Sequence, residues 1–417
     1  MSRVIQVFEF EKLTLYKDSR GRFLYPKELE KLYQFNDQNN HIYFTGIRDG
    51  VRFKNYVGVI QVGGLTVEIL PKADKNLDDE IEYNIWHGAL LNMLRVCRHI
   101  NVDSISEANL RRKHNSILEL YYEMYLDEVQ QLIRAGLIKK YRNYSGNVYS
   151  LKGRLNFSKN IQKNLIHGER FYTEHQVYDY ENIVNQILIK GLSVLSQLTT
   201  DTVLSDRINR IRMSFPEIRE IEIQKSHFSN LVENRKTTSY QKAIQIARMI
   251  ILNYSPDIKS GQEHMLTLLF DMNKLWEEYI YRMLIKSKRP EIKISFQNKQ
   301  KFWEGRTIRP DLVIKRITPE NEENFVIDTK WKILDQVNPK PSDDDLKQMY
   351  AYNLYWGATK SMLLYPNSIE TDERFGNFWK GREIPDENKC KVGFINVLDS
   401  NSQLDFSIGD QILSKLF

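Results

Sequence analysis

The sequence predicts an α+β protein of several domains. Three observations carry this reading. At 417 residues the chain exceeds the roughly 250–300 at which a single core stops growing. Near residue 76 the apolar pattern changes from period two to period 3.6, so strands give way to helices. Beyond residue 260 the order becomes helix-strand-strand-strand-helix-strand. The expected organisation is a β-rich domain over 1–75, a mostly helical middle region over 76–260 and a C-terminal α/β domain over 261–417.

In the first region, "NHIYFTGIRDGVRFKNYVGVIQVGGLTVEILPK" offers three or four alternating runs. "RDG" and "GG" supply the turns, and a proline closes the last strand. From "DDEIEYNIWHGALLNMLRVCRHI" helical periodicity dominates. "SILELYYEMYLDEVQQLIRAG" puts Leu118, Tyr121, Tyr122, Tyr125, Val129 and Leu132 on one helical stripe, with Gly136 as its stop. The plain account of such a stripe is core. Lys139, Lys140, Arg142, Lys152, Arg154 and Lys159 follow, interleaved with tyrosines. They suit a phosphate-contacting face and equally a solvated surface. "YENIVNQILIKGLSVLSQL" and "SYQKAIQIARMIILNY" are two further helices, and the junction at "SPDIKSGQEHM" marks a domain boundary.

Composition narrows the classes. The net charge of +6 permits nucleic-acid contact without demanding it. Two distant cysteines, Cys97 and Cys390, argue against a disulfide framework and a zinc site and suit a reducing, cytoplasmic setting. The N-terminus alternates and carries acids, unlike a signal peptide. No apolar run approaches the roughly 18 residues of a membrane span. The eight histidines are scattered. No phosphate-binding G-x-x-x-x-G-K-[ST] loop occurs, so any nucleotide energy has to come from another subunit.

The chemistry concentrates after residue 262. "MLTLLFDMNKLWEEYIYRMLIKS" reads as a helix burying Met272, Leu275, Trp276, Tyr279, Ile280 and Met283, with Glu277 at the margin of that face and Glu278 further round. Strands "EIKISFQ", "RPDLVIKR" and "FVIDTKWK" follow, then the helix "DLKQMYAYNLYWG" and the strand "SMLLYP". Alternate strand residues share a face, so Val326, Asp328 and Lys330 point one way. If the second and third strands pair as a hairpin, Asp311 lies beside Asp328. Two adjacent carboxylates repel unless a cation separates them, and oxygen-only ligation suits Mg²⁺. Lys330 is then placed to orient or help deprotonate a water for attack on phosphorus. The spacing acid-x-Lys alone is weak evidence, since it recurs at 257–259, 291–293, 345–347 and 387–389. A surface hairpin with an Asp–Lys ion pair is the plain alternative. On the later helix Gln348 and Tyr352 share a face that can aim at this site or at DNA phosphate; a partly buried helix that happens to carry them is the alternative.

"RPD" and "DTK" resemble the two signature pieces of the PD-(D/E)xK nucleases, whose fold is a mixed sheet flanked by helices. "IRPDLVI", "VIDTKWK" and "QMYAYNLYW" are similar to the nuclease motifs of the McrC family, the nuclease subunits of McrBC-type modification-dependent restriction systems. "GVIQVGGLTVEILPK", "LKGRLNFSKNI" and "YENIVNQILIKGL" look like that family's upstream segments, in the same order. The resemblance implies that Asp311 and Asp328 bind Mg²⁺, that Lys330 is the catalytic lysine, and that Glu277 and Gln348 support them, Glu277 as a further metal ligand. It implies an endonuclease acting on double-stranded DNA in phage defence. The implied partner is a McrB-like AAA+ GTPase hexamer that recognises methylated cytosine, on which the N-terminal and middle regions dock and whose GTP hydrolysis they stimulate. A non-catalytic adaptor of an AAA+ ring and a stand-alone repair or recombination nuclease are the alternatives.

Overall fold

The computed structural model describes residues 3–62, 64–72, 79–97, 117–199, 201–231, 235–252, 254–255, 265–287, 289–319, 321–334, 340–366, 374–380 and 384–417. The chain forms two compact units. One gathers Met1–Arg3, Ile60–Thr66 and Asp103–Leu268; the other gathers Val4–Val59, Val67–Val102 and Leu269–Phe417. The sequence suggested three successive domains, whereas most of the N-terminal strands share a unit with the C-terminal region. The junction expected at 256–264 lies outside the described residues.

β1 (Arg3–Phe8) and β2 (Lys12–Thr14) precede α1 (Pro26–Gln38), a helix absent from the β-rich expectation for residues 1–75. Its local reasons are plain. Pro26 opens it with a φ already suited to a helix, Glu28 accepts a hydrogen bond from the Tyr25 N–H at 2.8 Å, and Leu29, Leu32 and Phe35 recur on its buried face. β3 (Phe44–Ile47), β4 (Gly50–Phe53), β5 (Tyr56–Val62) and β6 (Leu65–Leu70) follow, and then α2 (Asp79–Val96). β2, β4 and β3 form an antiparallel sheet in that order, turned at "RDG" where Asp49 adopts φ 55°.

The middle of the chain opens with α3 (Ile117–Ala135), stopped by Gly136 at φ 89°. The whole expected stripe from Leu118 to Leu132 is buried in it. The region is less helical than its composition suggests. β7 (Lys140–Val148), β8 (Arg154–Leu155) and β9 (Phe171–Asp179) form a sheet in the order β7-β9-β8, with α4 (Phe157–Asn164) beside β9. Several cations of the basic stretch are occupied here. Arg142 pairs with Asp179 at 2.8 Å, Lys139 sits over the Tyr180 ring and Lys159 over the Tyr172 ring. α5 (Ile183–Leu198), α6 (Thr202–Met213), α7 (Lys225–Ser229) and α8 (Gln241–Leu252) complete the helices; β10 (Tyr254–Ser255) then pairs antiparallel with the first residues of β11 (Met265–Asp271).

The stretch "MLTLLFD" was expected to be helical, yet it forms β11. The helix α9 (Met272–Lys286) begins only where the Asp271 side chain accepts the Asn273 N–H, an N-cap that frees the preceding residues to be extended. Beyond it come β12 (Ile292–Phe296), β13 (Gln300–Trp303), β14 (Arg306–Ile308), β15 (Leu312–Ile317), β16 (Glu322–Thr329), α10 (Asp343–Trp356), β17 (Lys360–Pro366), β18 (Phe375–Lys380), β19 (Ile384–Ile395) and α11 (Ile408–Leu416). The expected α-β-β-β-α-β order is present, with the β13–β14 hairpin inserted and two strands and a helix appended. Six strands make a mixed sheet in the order β12-β15-β16-β17-β19-β18. β15–β16 is antiparallel, and β16–β17 and β17–β19 are parallel.

Both faces of this sheet are covered. Met349, Tyr352 and Trp356 of α10 pack on Val313, Val326 and Leu363. On the other side Trp276 of α9 meets Trp331 with ring centroids 5.2 Å apart, and Phe417 meets Phe325 at 5.1 Å. That double cover explains why Phe325 through Thr329 are all buried and read as a continuous apolar run.

Candidate active site

β15 and β16 pair with Leu312 opposite Ile327. Continuing that register by one residue brings Asp311, the residue before β15, opposite Asp328. Asp311 is held by the element it faces: its Oδ2 accepts the Thr329 N–H at 2.7 Å and the Thr329 hydroxyl at 2.9 Å. Asp328 is buried at 3% exposure. Its Oδ2 lies 2.7 Å from Lys330 Nζ, so the lysine ammonium is the group that holds this buried oxygen.

Burial drives both carboxyls upward. Asp311 is pushed to about 6, with the Glu277 charge as the next cause, against the two bonds from Thr329. Asp328 is pushed to about 7, with Asp311 next, against Lys330. A neighbouring carboxylate thus makes each of them harder to ionise, Glu277 for Asp311 and Asp311 for Asp328. Lys330 goes the other way. Burial opposes its charge, but Asp328 and Asp345 outweigh burial and raise it above the usual lysine value.

Asp345 is the residue that sequence reasoning missed. It belonged to a discounted acid-x-Lys occurrence, yet its Oδ1 lies 3.1 Å from Lys330 Nζ. Ser342 caps α10 and donates its hydroxyl toward the same side chain, so Asp345 stays below the ordinary carboxylate range although burial works against it. The position at the first turn of a helix following the strands was a usable signal, since acids favour helix N-termini.

Gln348 reaches the site as expected. Lys330 Nζ donates to its Oε1 at 3.4 Å, and its Nε2 donates to Tyr352 Oη at 2.6 Å; Tyr352 in turn donates to the Arg309 carbonyl at 2.8 Å. Helix spacing of four thus builds a relay from the lysine to the strand before Asp311. Glu277 is buried on α9, but Gln297 stands beside it: Gln297 Nε2 donates to Glu277 Oε1 at 2.7 Å, and Gln297 Oε1 accepts from Arg309 at 3.0 Å. Among the described residues no group of three or more His, Cys, Asp or Glu is arranged to hold a metal ion. The Glu277 charge nonetheless reaches Asp311 and helps to raise its carboxyl.

This donor set suits a hard divalent cation. It offers only oxygen, and an ion would offset the burial and nearby negative charge that raise both carboxyls. Mg²⁺ commonly uses one or two carboxylates together with water and substrate phosphate.

The McrBC 5-methylcytosine restriction system component profile matches residues 51–366. The chain belongs to that family. This McrBC family member is 24% identical over 188 residues to the type IV methyl-directed restriction enzyme EcoKMcrBC of Escherichia coli K12, a match covering 43% of this chain and 53% of that protein. In fold it resembles a chain of the half-complex of Thermococcus gammatolerans McrB AAA+ hexamers with bound McrC, at TM-score 0.70 and 18% identity over 99% of both chains. The cryo-EM structure of the T. gammatolerans McrBC complex gives a TM-score of 0.51 at 18% identity, covering 69% of this chain and 88% of that one. The family span takes in Glu277, Asp311, Asp328, Lys330 and Gln348 alike.

Proposed function

We propose that this McrBC family member is a Mg²⁺-dependent DNA endonuclease subunit of PD-(D/E)xK type. In this reading it cleaves DNA when assembled with a GTP-hydrolysing AAA+ partner and stimulates that partner's hydrolysis. The observation that carries the reading is the convergence of Asp311, Asp328 and Lys330 at the paired ends of β15 and β16. Asp311 and Asp328 hold the ion, which when bound supplies charge stabilisation at the phosphoryl oxygens. Thr329 fixes the Asp311 carboxylate so that it enters the site already oriented. Lys330 serves as a protonated donor: with two carboxylates keeping its charge, it suits orienting the attacking water and balancing charge on the phosphate better than removing a proton. Gln348 and Tyr352 limit where that ammonium can swing. The Thermococcus gammatolerans complex, one chain of which this chain resembles, pairs McrB AAA+ hexamers with bound McrC, which supports an AAA+ partner here, and the family's name supports a methylated-DNA target.

The test mixes the full chain with its AAA+ partner, GTP, Mg²⁺ and methylated plasmid. Wild type is expected to cut, and Asp311→Ala, Asp328→Ala and Lys330→Ala are each expected to lower cutting at least about a hundredfold while leaving GTP turnover stimulated. Cutting by any of the three at the wild-type rate overturns the site. If no protein cuts but all stimulate GTP turnover, the chain is an adaptor.

A further inference from the structure

We infer that the β13–β14 hairpin is a finger that holds duplex DNA beside the candidate site, with Trp303 at its tip and Lys301 and Arg306 on backbone phosphates. This rests on the nuclease reading above and adds the surface that would position the substrate. Trp303 stands 70% exposed and lies across the tip from Arg306. Of the other five tryptophans, Trp86, Trp276, Trp331 and Trp356 are buried and Trp379 is 63% exposed. An aromatic ring left in water on a turn is a ready stacking platform for a base or sugar.

Charge points to the same occupant. Residues 299–309 carry Lys299, Lys301, Arg306 and Arg309 against the single acid Glu304. Among the described residues no carboxylate pairs with Lys299, Lys301 or Arg306, unlike Arg142 of β7, which pairs with Asp179. A protein-facing apolar tip would not need that excess, whereas a polyanion does. A two-stranded ribbon also has the width that a duplex groove admits.

The finger is braced on the site itself. Gly305 makes its turn at φ 67°, a value that favours glycine. The Phe302 ring packs on Tyr355 of α10 with centroids 5.6 Å apart. At its root Arg309 meets Gln297, the partner of Glu277, and its carbonyl receives Tyr352. DNA held by the finger would therefore be held at a fixed place relative to Asp311, two residues further on.

The test uses the full chain and a fluorescein-labelled methylated duplex, with anisotropy followed from about 50 to 200 mM KCl, beside cleavage and GTP turnover in the assembled complex. Trp303→Ala is expected to weaken duplex binding roughly tenfold, with Trp303→Phe largely restoring it. Lys301→Glu with Arg306→Glu is expected to lower the slope of log K against log salt by about two. In cleavage both should raise the KM for DNA more than they lower kcat, with GTP stimulation intact. Trp379→Ala, at the other exposed tryptophan, is the control. Wild-type binding and cleavage by the finger variants would overturn the finger while leaving the nuclease reading intact. Loss of GTP stimulation with unchanged duplex binding also overturns it, by making the hairpin a protein contact. If wild type cuts nothing but the finger variants still lose duplex binding, the finger stands and the nuclease reading falls.

Discussion

At the scale of single residues, the informative quantity is the proton on the Asp311–Asp328 pair. Both carboxyls lie above their unfolded value of 3.8, at about 6 and about 7. Without a divalent ion the folded chain therefore binds more protons than the unfolded chain between about pH 4 and 7. Its stability falls as pH rises through that window and the penalty is complete above it. An ion bound to the carboxylates reverses this, because it competes with protons at low pH and with nothing at high pH. Mg²⁺ is expected to raise the melting temperature more at pH 8 than at pH 5.5, and Asp328→Asn should abolish the difference. A shift of equal size at both pH values would count against metal binding by this pair. Lys330 and Asp345 make a second residue-scale point. Asp345→Ala removes one of two carboxylates that hold the lysine, so a loss of roughly tenfold in cutting, with metal affinity unchanged, is the expected result. Loss of metal binding instead would make Asp345 a ligand.

At the scale of elements, the segment "YENIVNQILIKGL" of the middle region is a set of packing instructions. In α5, Asn182 caps the helix, and Asn185, fully buried, donates to the carbonyls of Ile138 and Tyr180 at 2.9 Å each. Gly191 is required by a close approach: a Cβ there would lie 2.3 Å from the Tyr125 hydroxyl, which is itself committed to the Leu188 carbonyl at 2.7 Å. Gly191→Ala should therefore cost roughly 2–3 kcal/mol in urea unfolding; a wild-type midpoint would mean that Tyr125 can move at little cost. A different buried group bears on the strand end that follows Lys330. The Trp331 indole donates to Glu9 Oε1 at 2.5 Å, and burial lifts Glu9 to about 7 against that bond and the Lys72 N–H. The folded chain is the more protonated here too, so Glu9 contributes a loss of stability as pH rises from about 4.5 to 7. Glu9→Gln is expected to flatten that part of the stability profile in thermal melts, and an unchanged slope would sink the assignment.

At the scale of the whole molecule, the division of labour is the point to test. The six-stranded mixed sheet carries the carboxylate pair, and no helix among the described residues is long and apolar enough to cross a membrane. If cutting depends on an AAA+ partner, the full chain alone with Mg²⁺ should nick methylated plasmid at least about a hundredfold more slowly than the complex with GTP. Comparable rates with and without the partner would favour a stand-alone nuclease.

Local pattern made much of this legible. "RPDLVIKR" and "FVIDTKWK" read as a hairpin because period two and a polar turn are properties of neighbouring residues, and the hairpin register alone brings Asp311 opposite Asp328. The four-residue spacing of Gln348 and Tyr352 was legible for the same reason. The helix at Pro26 and the strand at Met265 depart from the sequence expectation, since short apolar runs fit both periods until a cap acts. Other features had no local signal at all. Thr329 holding Asp311, Asp345 reaching Lys330, Gln297 standing beside Glu277 and Glu9 meeting Trp331 are contacts between segments far apart in the chain. So the sequence by itself determined which residues could carry the chemistry and which strand ends present them. Only the tertiary structure decided which of those groups touch, how burial raises the two carboxyls, and that the lysine keeps its proton, because desolvation and long-range pairing depend on packing and not on spacing.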